Sequence, residues 1–316
     1  MLATTTRARG ALFRNLALTL CLMVAPFAAR AEEAAPAGDV EMGSTPAAAE
    51  PPAPNSGRIS LSVGNDFTTA YFLRGILQER DGFIWQPYGG ITFKLADELG
   101  YGVIKNFAFS LSTWNSIQSN QTFAQSSPKN WYEADIIAGF SMTLWDYVNT
   151  NISYVAFTYP NGAFSTAQEL DWTIGFNDAE FLGPFALNPS VLWVFEVDNV
   201  SFGDLDREGI YVQPGVKPSV TLFQEADYPV TLALPLSVGL SVSNYYEESG
   251  GGLDQTFGFF DAGLVASVPL SFIPSDYGTW SASASFDVLA LSATLARANR
   301  GDGTFFVGKG GISFAY

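Results

Sequence analysis

The feature that most constrains this chain is a period of two. Val230, Leu232, Leu234, Leu236, Val238, Leu240 and Val242 are aliphatic, while Thr231, Ala233, Pro235, Ser237, Gly239, Ser241 and Ser243 between them are small or polar. Successive side chains of an extended backbone point to opposite faces, so this alternation makes one face apolar and the other polar. The pattern returns with Ile59, Leu61 and Val63 against Ser60 and Ser62, with Phe83, Trp85, Ile91, Phe93 and Leu95 against Gln86, Thr92 and Lys94, and with Phe107, Phe109 and Leu111 against Ala108, Ser110 and Ser112. It continues with Tyr132, Ala134, Ile136, Ala138, Phe140, Met142 and Leu144 against Glu133, Asp135 and Ser141, and with Leu170, Trp172, Ile174 and Phe176 against Glu169, Asp171 and Thr173. Trp280, Ala282, Ala284, Phe286 and Val288 likewise oppose Ser281, Ser283, Ser285 and Asp287. Beyond residue 58 there is no sustained helical period and no apolar run long enough for a membrane-spanning helix.

About twelve such segments of roughly 10–13 residues fit between 58 and 316, the length of a strand crossing a membrane at a tilt. Short links are expected near 96–102, 146–149, 178–184, 224–228 and 274–278, and longer polar links near 117–130, 199–208, 247–255 and 297–303. The expected fold is all-β: a transmembrane antiparallel up-and-down β-barrel of about 12 strands, with ten and fourteen also fitting the pattern. Alternation alone does not say which face is outside, since a soluble ligand-binding barrel turns its apolar face inward. Here the polar face is mostly Ser, Gly, Ala and Thr, which suits a narrow interior better than a solvated exterior. The chain also finishes on an alternating strand with Ile312, Phe314 and Tyr316 on one face, the form of a C-terminal signal read by the barrel-assembly machinery. In water such a strand would invite aggregation. Pro87, Pro189, Pro214, Pro218, Pro235 and Pro269 interrupt this picture, and most are expected at membrane interfaces, strand starts or bulges.

The first 31 residues read as a cleaved secretory signal peptide: a basic start, an apolar stretch over 16–27, and Ala29-Arg30-Ala31 before Glu32. Cys21, the single cysteine, would leave with it. Residues 32–56, rich in Pro and Ala and acidic, read as a solvated periplasmic spacer, and 57–316 as an outer-membrane barrel of a Gram-negative bacterium.

Composition then narrows function. The chain has no histidine, so Ser-His-Asp hydrolysis, histidine-ligated zinc and histidine-ligated haem have no residue to work with. No enzymatic activity, cofactor or metal is expected. The formal charge of −16 becomes −20 once the signal, with Arg7, Arg9, Arg14 and Arg30 and no acid, is removed. Nucleic acid is therefore not an expected partner. Asp204, Asp206, Glu208, Glu247, Glu248 and Asp254 make two of the longer links acidic, without the spacing of a calcium loop.

One stretch is familiar. Asn65-Asp66-Phe67-Thr68-Thr69-Ala70-Tyr71-Phe72-Leu73-Arg74-Gly75-Ile76-Leu77-Gln78, continuing to Phe83-Ile84-Trp85-Gln86-Pro87-Tyr88-Gly89-Gly90, resembles the first hairpin of the TorF-like family of porin-type bacterial outer-membrane proteins. Those proteins carry an aromatic-x-x-Arg-Gly turn and a Gln-rich return strand. The resemblance covers about 30 residues and implies fold and location, but brings no substrate with it. Arg74 shares its parity with Arg58 and Asp66 and is expected to point into the lumen, either in an ion pair with an acidic neighbour or as a selectivity contact.

If the apolar face meets lipid, the inward charges are Asp66, Glu133, Asp135, Glu169, Asp171, Glu196, Asp261 and Asp287 against Arg58, Arg74, Lys94, Lys217 and Lys309. A net negative interior favours cations. The expectation is a passive channel for small neutral or cationic solutes. The alternative is a closed structural or adhesive barrel acting through its loops and periplasmic tail. Outer-membrane lipid and lipopolysaccharide are the expected partners of the outer surface.

Overall fold

The computed structural model describes residues 57–199, 207–224, 228–247 and 254–316. The expected signal peptide and spacer lie outside the described residues, as do Asp204, Asp206 and Glu248. The strands are β1 (Ile59–Thr68), β2 (Tyr71–Leu73), β3 (Ile76–Glu79), β4 (Ile84–Leu99), β5 (Ile104–Gln118), β6 (Trp131–Leu144), β7 (Val148–Thr158) and β8 (Ala167–Phe176). They continue as β9 (Ser190–Asp198), β10 (Ile210–Val216), β11 (Ser219–Leu222), β12 (Val230–Ala233), β13 (Leu236–Ser243), β14 (Phe257–Pro269), β15 (Thr279–Leu291) and β16 (Thr304–Ala315).

Wall strands pair antiparallel in chain order, and β16 returns to β1, from Ser62 opposite Ala315 to Thr68 opposite Lys309, which closes the sheet on itself. Two of the wall strands are broken by proline. β10 and β11 are separated at Lys217-Pro218, β12 and β13 at Leu234-Pro235, and the two breaks sit side by side: Leu234 N–H donates to Pro218 O at 2.9 Å. Counting each broken pair once, the wall is a closed antiparallel barrel of twelve strands.

The apolar face of the alternation is the exterior. Leu61, Val63, Leu111, Ile136, Trp172, Val242, Leu264 and Phe286 are exposed around the wall. Aromatic side chains crowd both ends, with Trp145, Phe185, Phe223, Phe272 and Tyr277 exposed at the short-turn end and Phe67, Phe83, Phe123, Trp131 and Phe164 at the long-loop end. An apolar band this continuous is untenable in water and is what lipid requires of a barrel, with aromatic girdles at its two interfaces.

Several local expectations are corrected. Tyr132, placed on the outer face by parity, is fully buried inside the barrel. The register shifts between Ser116 opposite Glu133 and Ile117 opposite Trp131, so Tyr132 is the extra residue of a bulge and turns inward. Pro189 precedes β9, Pro269 ends β14, and Pro218 and Pro235 mark the breaks, as expected, but Pro87 and Pro214 lie within β4 and β10. Each falls where the ladder on one side skips: β4–β5 passes from Trp85–Ile117 to Tyr88–Trp114, and β10–β13 from Val212–Leu240 to Gly215–Ser237. The missing donor thus faces a gap in the ladder. The link expected as a short turn at 178–184 runs over 177–189 and carries a helical turn, Ala179–Leu182.

The largest departure lies between β1 and β4. Here the chain turns back into the barrel: β2 and β3 pair only with each other, and Ala70, Tyr71, Phe72, Leu73 and Arg74 are all buried.

Candidate functional site in the barrel lumen

The β2–β3 hairpin fills the loop-end half of the lumen. Each of the wall's strands contributes at least one buried inward residue at that level, for example Gln86 on β4, Trp114 on β5, Asp135 on β6, Val155 on β7, Glu169 on β8 and Val194 on β9. On the far side the same role falls to Tyr211 on β10, Ser241 on β13, Phe259 on β14, Leu289 on β15, Val307 on β16 and Asp66 on β1. Phe72 packs edge-on against Phe305 at 4.8 Å, and Tyr71 lies 5.1 Å from Trp114. Towards the turn end the inward residues shrink to serine and glycine, and Ser60 and Ser62 are exposed. The lumen is packed at one end and open at the other.

At the tip of the hairpin, Arg74 and Gly75 both have positive φ, +46° and +82°. Glycine at 75 is doubly required, because a Cβ there would come within 2.8 Å of Leu295 and Phe259 side-chain atoms. Arg74 is 3% exposed. Its Nη1 donates to Glu169 Oε2 at 2.8 Å and to Tyr245 Oη at 2.8 Å, and its Nη2 donates to Glu169 Oε1, so the carboxylate is gripped by two parallel bonds. Asp171 Oδ2 lies 3.6 Å away, and the guanidinium sits 5.3 Å and 5.7 Å from the centroids of Tyr211 and Tyr245. The backbone of the tip is held as well: Tyr246 Oη donates to Arg74 O at 2.9 Å and Asn299 Nδ2 to Gly75 O at 2.7 Å. Further along, Tyr71 Oη donates to Glu133 Oε1 at 2.8 Å, and Tyr132 Oη to Gln78 Oε1 at 2.5 Å.

Below the hairpin lies a cavity of about 190 Å³, continuous with the open turn end. Three inward acids reach it, Asp66, Asp261 and Asp287, together with Lys217 and Lys309. Lys309 Nζ is 3.9 Å from Asp66 Oδ2, and Asp287 accepts from Ser285 Oγ at 3.0 Å.

The candidate residues therefore divide into three groups. Arg74, Glu133, Asp135, Glu169, Asp171 and Glu196 are buried in the packed half, where Glu196 accepts the Gly209 amide at 2.7 Å. Asp66, Lys217, Asp261, Asp287 and Lys309 border the cavity. Arg58 and Lys94 stand at the turn-end rim, each paired with Asp97 at 3.1 Å and 2.6 Å. Ile312 and Tyr316 are exposed on the outer face, and Phe314 packs 4.9 Å from Trp280.

Sequence reasoning missed the tyrosines and Gln86. The signal for the buried hairpin was present in Tyr71-Phe72-Leu73, three apolar residues in succession, which is the mark of a segment buried on both faces. Tyr245-Tyr246 likewise follows the point where the alternation of β13 stops.

A closed barrel with a lipid-facing exterior and a lumen-lining interior is a β-barrel of the outer-membrane type. No protein-family model matches the chain, and no curated protein sequence does. Among solved structures it is similar to the NanC porin, at 12% identity over 80% of this chain and 98% of that one with a TM-score of 0.42. It is also similar to LpxR from Salmonella typhimurium, at 9% identity over 81% and 99% with a TM-score of 0.44, and to the translocator domain of the autotransporter NalP from Neisseria meningitidis, at 15% identity over 83% and 89% with a TM-score of 0.38.

Proposed function

We propose that the chain is an outer-membrane channel, shut at rest by the β2–β3 hairpin, that passes small neutral or cationic solutes when the hairpin yields. The observation that carries this reading is the independence of the plug. Its strands pair only with each other, and its tip is held to the wall by side chains centred on Arg74 rather than by a ladder. An element attached in that way is able to move as a unit without opening the wall. The acids bordering the cavity outnumber the lysines, which favours cations over anions. The Arg-Gly turn behind the TorF-like resemblance is the tip of this plug, so the resemblance and the gate rest on the same residues. No catalytic role is part of this reading.

A second reading, a permanently closed structural or adhesive barrel, is favoured by the packing of the hairpin against inward residues of every wall strand. Single-channel recording in planar bilayers under a salt gradient separates the two. The wild type is expected to be mostly closed. Arg74→Ala, and a chain whose residues 70–82 are replaced by a short Gly/Ser link, are expected to give stable steps with a cation-selective reversal potential. Silence from all three folded proteins would establish the closed reading, and a wild type that stands open would remove the gate.

A further inference from the structure

We infer that the lumenal cavity is a binding site for a small organic amine, with its ammonium group held between the Asp66 carboxylate and the Gln86 side-chain carbonyl. This goes beyond the gate, since a site open to the turn end can be occupied while the hairpin stays shut.

The two residues are direct partners across the β1–β4 ladder, and both point inward. Asp66 is 3% exposed and Gln86 is 4% exposed. A buried side-chain amide ordinarily finds partners within the protein, because leaving it unmet is costly. The Gln86 side chain makes no hydrogen bond to any described residue, and it borders the cavity. Asp66 accepts none either; its charge is answered only by Lys309, at a distance beyond a hydrogen bond. The wall opposite is cut to make room for this carboxylate. Gly311 is the register partner of Asp66, and a Cβ at 311 would overlap Asp66 Oδ1. Two acceptors without a hydrogen-bond partner among the described residues thus face one space, with the Lys309 ammonium 3.9 Å from Asp66 as the neighbouring cation.

The rest of the cavity fits an organic cation better than a bare metal ion or an anion. Asp261 and Asp287, on β14 and β15, add negative charge farther along the same space. Asp287 is also a diagonal neighbour of Lys309, which stands opposite Ser285, so Lys309 has a second carboxylate to turn to when a ligand ammonium occupies Asp66. Trp114, Tyr71 and Phe72 border the hairpin side and offer aromatic surface for methylene groups. A cavity of about 190 Å³ is larger than the ~150 Å³ that accepts benzene, so it suits a ligand of roughly six to ten non-hydrogen atoms. A hard metal ion would want six or more oxygen ligands, which this mixed wall does not concentrate at one point.

The test is calorimetric titration of the full chain, purified in detergent and shown to be folded by its heat-modifiable gel mobility, with putrescine as probe and glucose and acetate as controls. Saturable binding of putrescine, and not of the controls, is expected. Asp66→Asn and Gln86→Leu should each weaken it about ten- to a hundredfold, the value of a charge-assisted hydrogen bond. Gln86→Glu, which adds a second carboxylate at the same place, should strengthen it, and this gain guards against misreading a folding defect as lost binding. No saturable heat with the folded wild type, unchanged affinity in the variants, or equal binding of glucose or acetate would each overturn the assignment. Because the titration needs no conduction, its failure would leave the gate standing, and a silent bilayer would leave this site standing.

Discussion

A guanidinium sealed away from water must be matched by fixed acceptors, and Arg74 is matched by Glu169 through parallel hydrogen bonds, with Asp171 and the rings of Tyr211 and Tyr245 around it. Removing one partner strands the other. Arg74→Ala is expected to destabilise the folded barrel by about 3–5 kcal/mol, read as a lower urea midpoint for refolding into vesicles. Arg74→Lys should recover only part of the loss, since an ammonium cannot make the two parallel bonds or stack on the tyrosines. Replacing Arg74 and Glu169 together by apolar residues should cost less than Arg74→Ala alone, because the Glu169 carboxylate is then not left stranded and only Asp171 still faces the vacated place; a double variant no better than the single one would count against the pair. Parity with Arg58 and Asp66 treated Arg74 as part of a wall strand, whereas it stands at the tip of a hairpin that has left the wall, so alternation is not what puts it inside; an acidic partner was one of the two roles considered for it. That the acid is Glu169 was not legible, because the pairing crosses the lumen between segments 95 residues apart. Gly75 is the clearest case of a residue whose reason lies wholly in three dimensions: its φ and the approach of Leu295 and Phe259 together exclude a side chain.

Among the elements, the wall strands were readable because a lipid-facing surface imposes a strict alternation on them, and the plug strands were not, because burial on both faces removes it. Propensity says that 71–79 is extended; it cannot say that the segment leaves the wall. The link at 177–189 was misread as short for a related reason, since its organisation depends on one carboxylate that reaches forward ten residues. Asp178 accepts from the Leu187 amide at 3.0 Å and the Asn188 amide at 2.9 Å. Its surroundings remove water, which works to raise its pKa, but these backbone donors outweigh that and hold it below the ordinary 3.8. A carboxyl with a depressed folded-state pKa stabilises its fold above its unfolded pKa, and the contribution is lost as pH falls through the folded value. The 177–189 link is therefore expected to be ordered near pH 7 and to loosen below about pH 4. Hydrogen exchange at Leu187 and Asn188, corrected for intrinsic rates, should show the protection fall, and Asp178→Asn should show reduced protection already at neutral pH. Protection that stays level down to about pH 2 would assign the order of this link to its packing instead.

At the scale of the whole molecule, the barrel stands or falls with one seam, because a closed sheet in lipid has no water to satisfy an open edge. The last residue takes part in it: Leu61 N–H donates to Tyr316 O at 2.8 Å and Tyr316 N–H to Leu61 O at 2.9 Å, while Phe314 packs on Trp280 and lies 6.4 Å from Tyr316. The same residues stand on the outer face, where Ile312 and Tyr316 are exposed, so they are available to be read before the seam closes. Closing the seam and acting as an assembly signal would make different demands on these residues. The seam needs the backbone of residue 316, whereas recognition by an assembly machinery needs the ring. Tyr316→Ser keeps the backbone bonds and removes the ring, and deletion of Tyr316 removes both. If the terminal face is an assembly signal, Tyr316→Ser should sharply lower the amount of barrel reaching the outer membrane of cells while the purified chain refolds in detergent as well as the wild type. Deletion should impair both. Equal losses for Tyr316→Ser in cells and in detergent would instead mean that the ring matters only through packing against Phe314, and that the order in which the seam forms is set by the strands themselves.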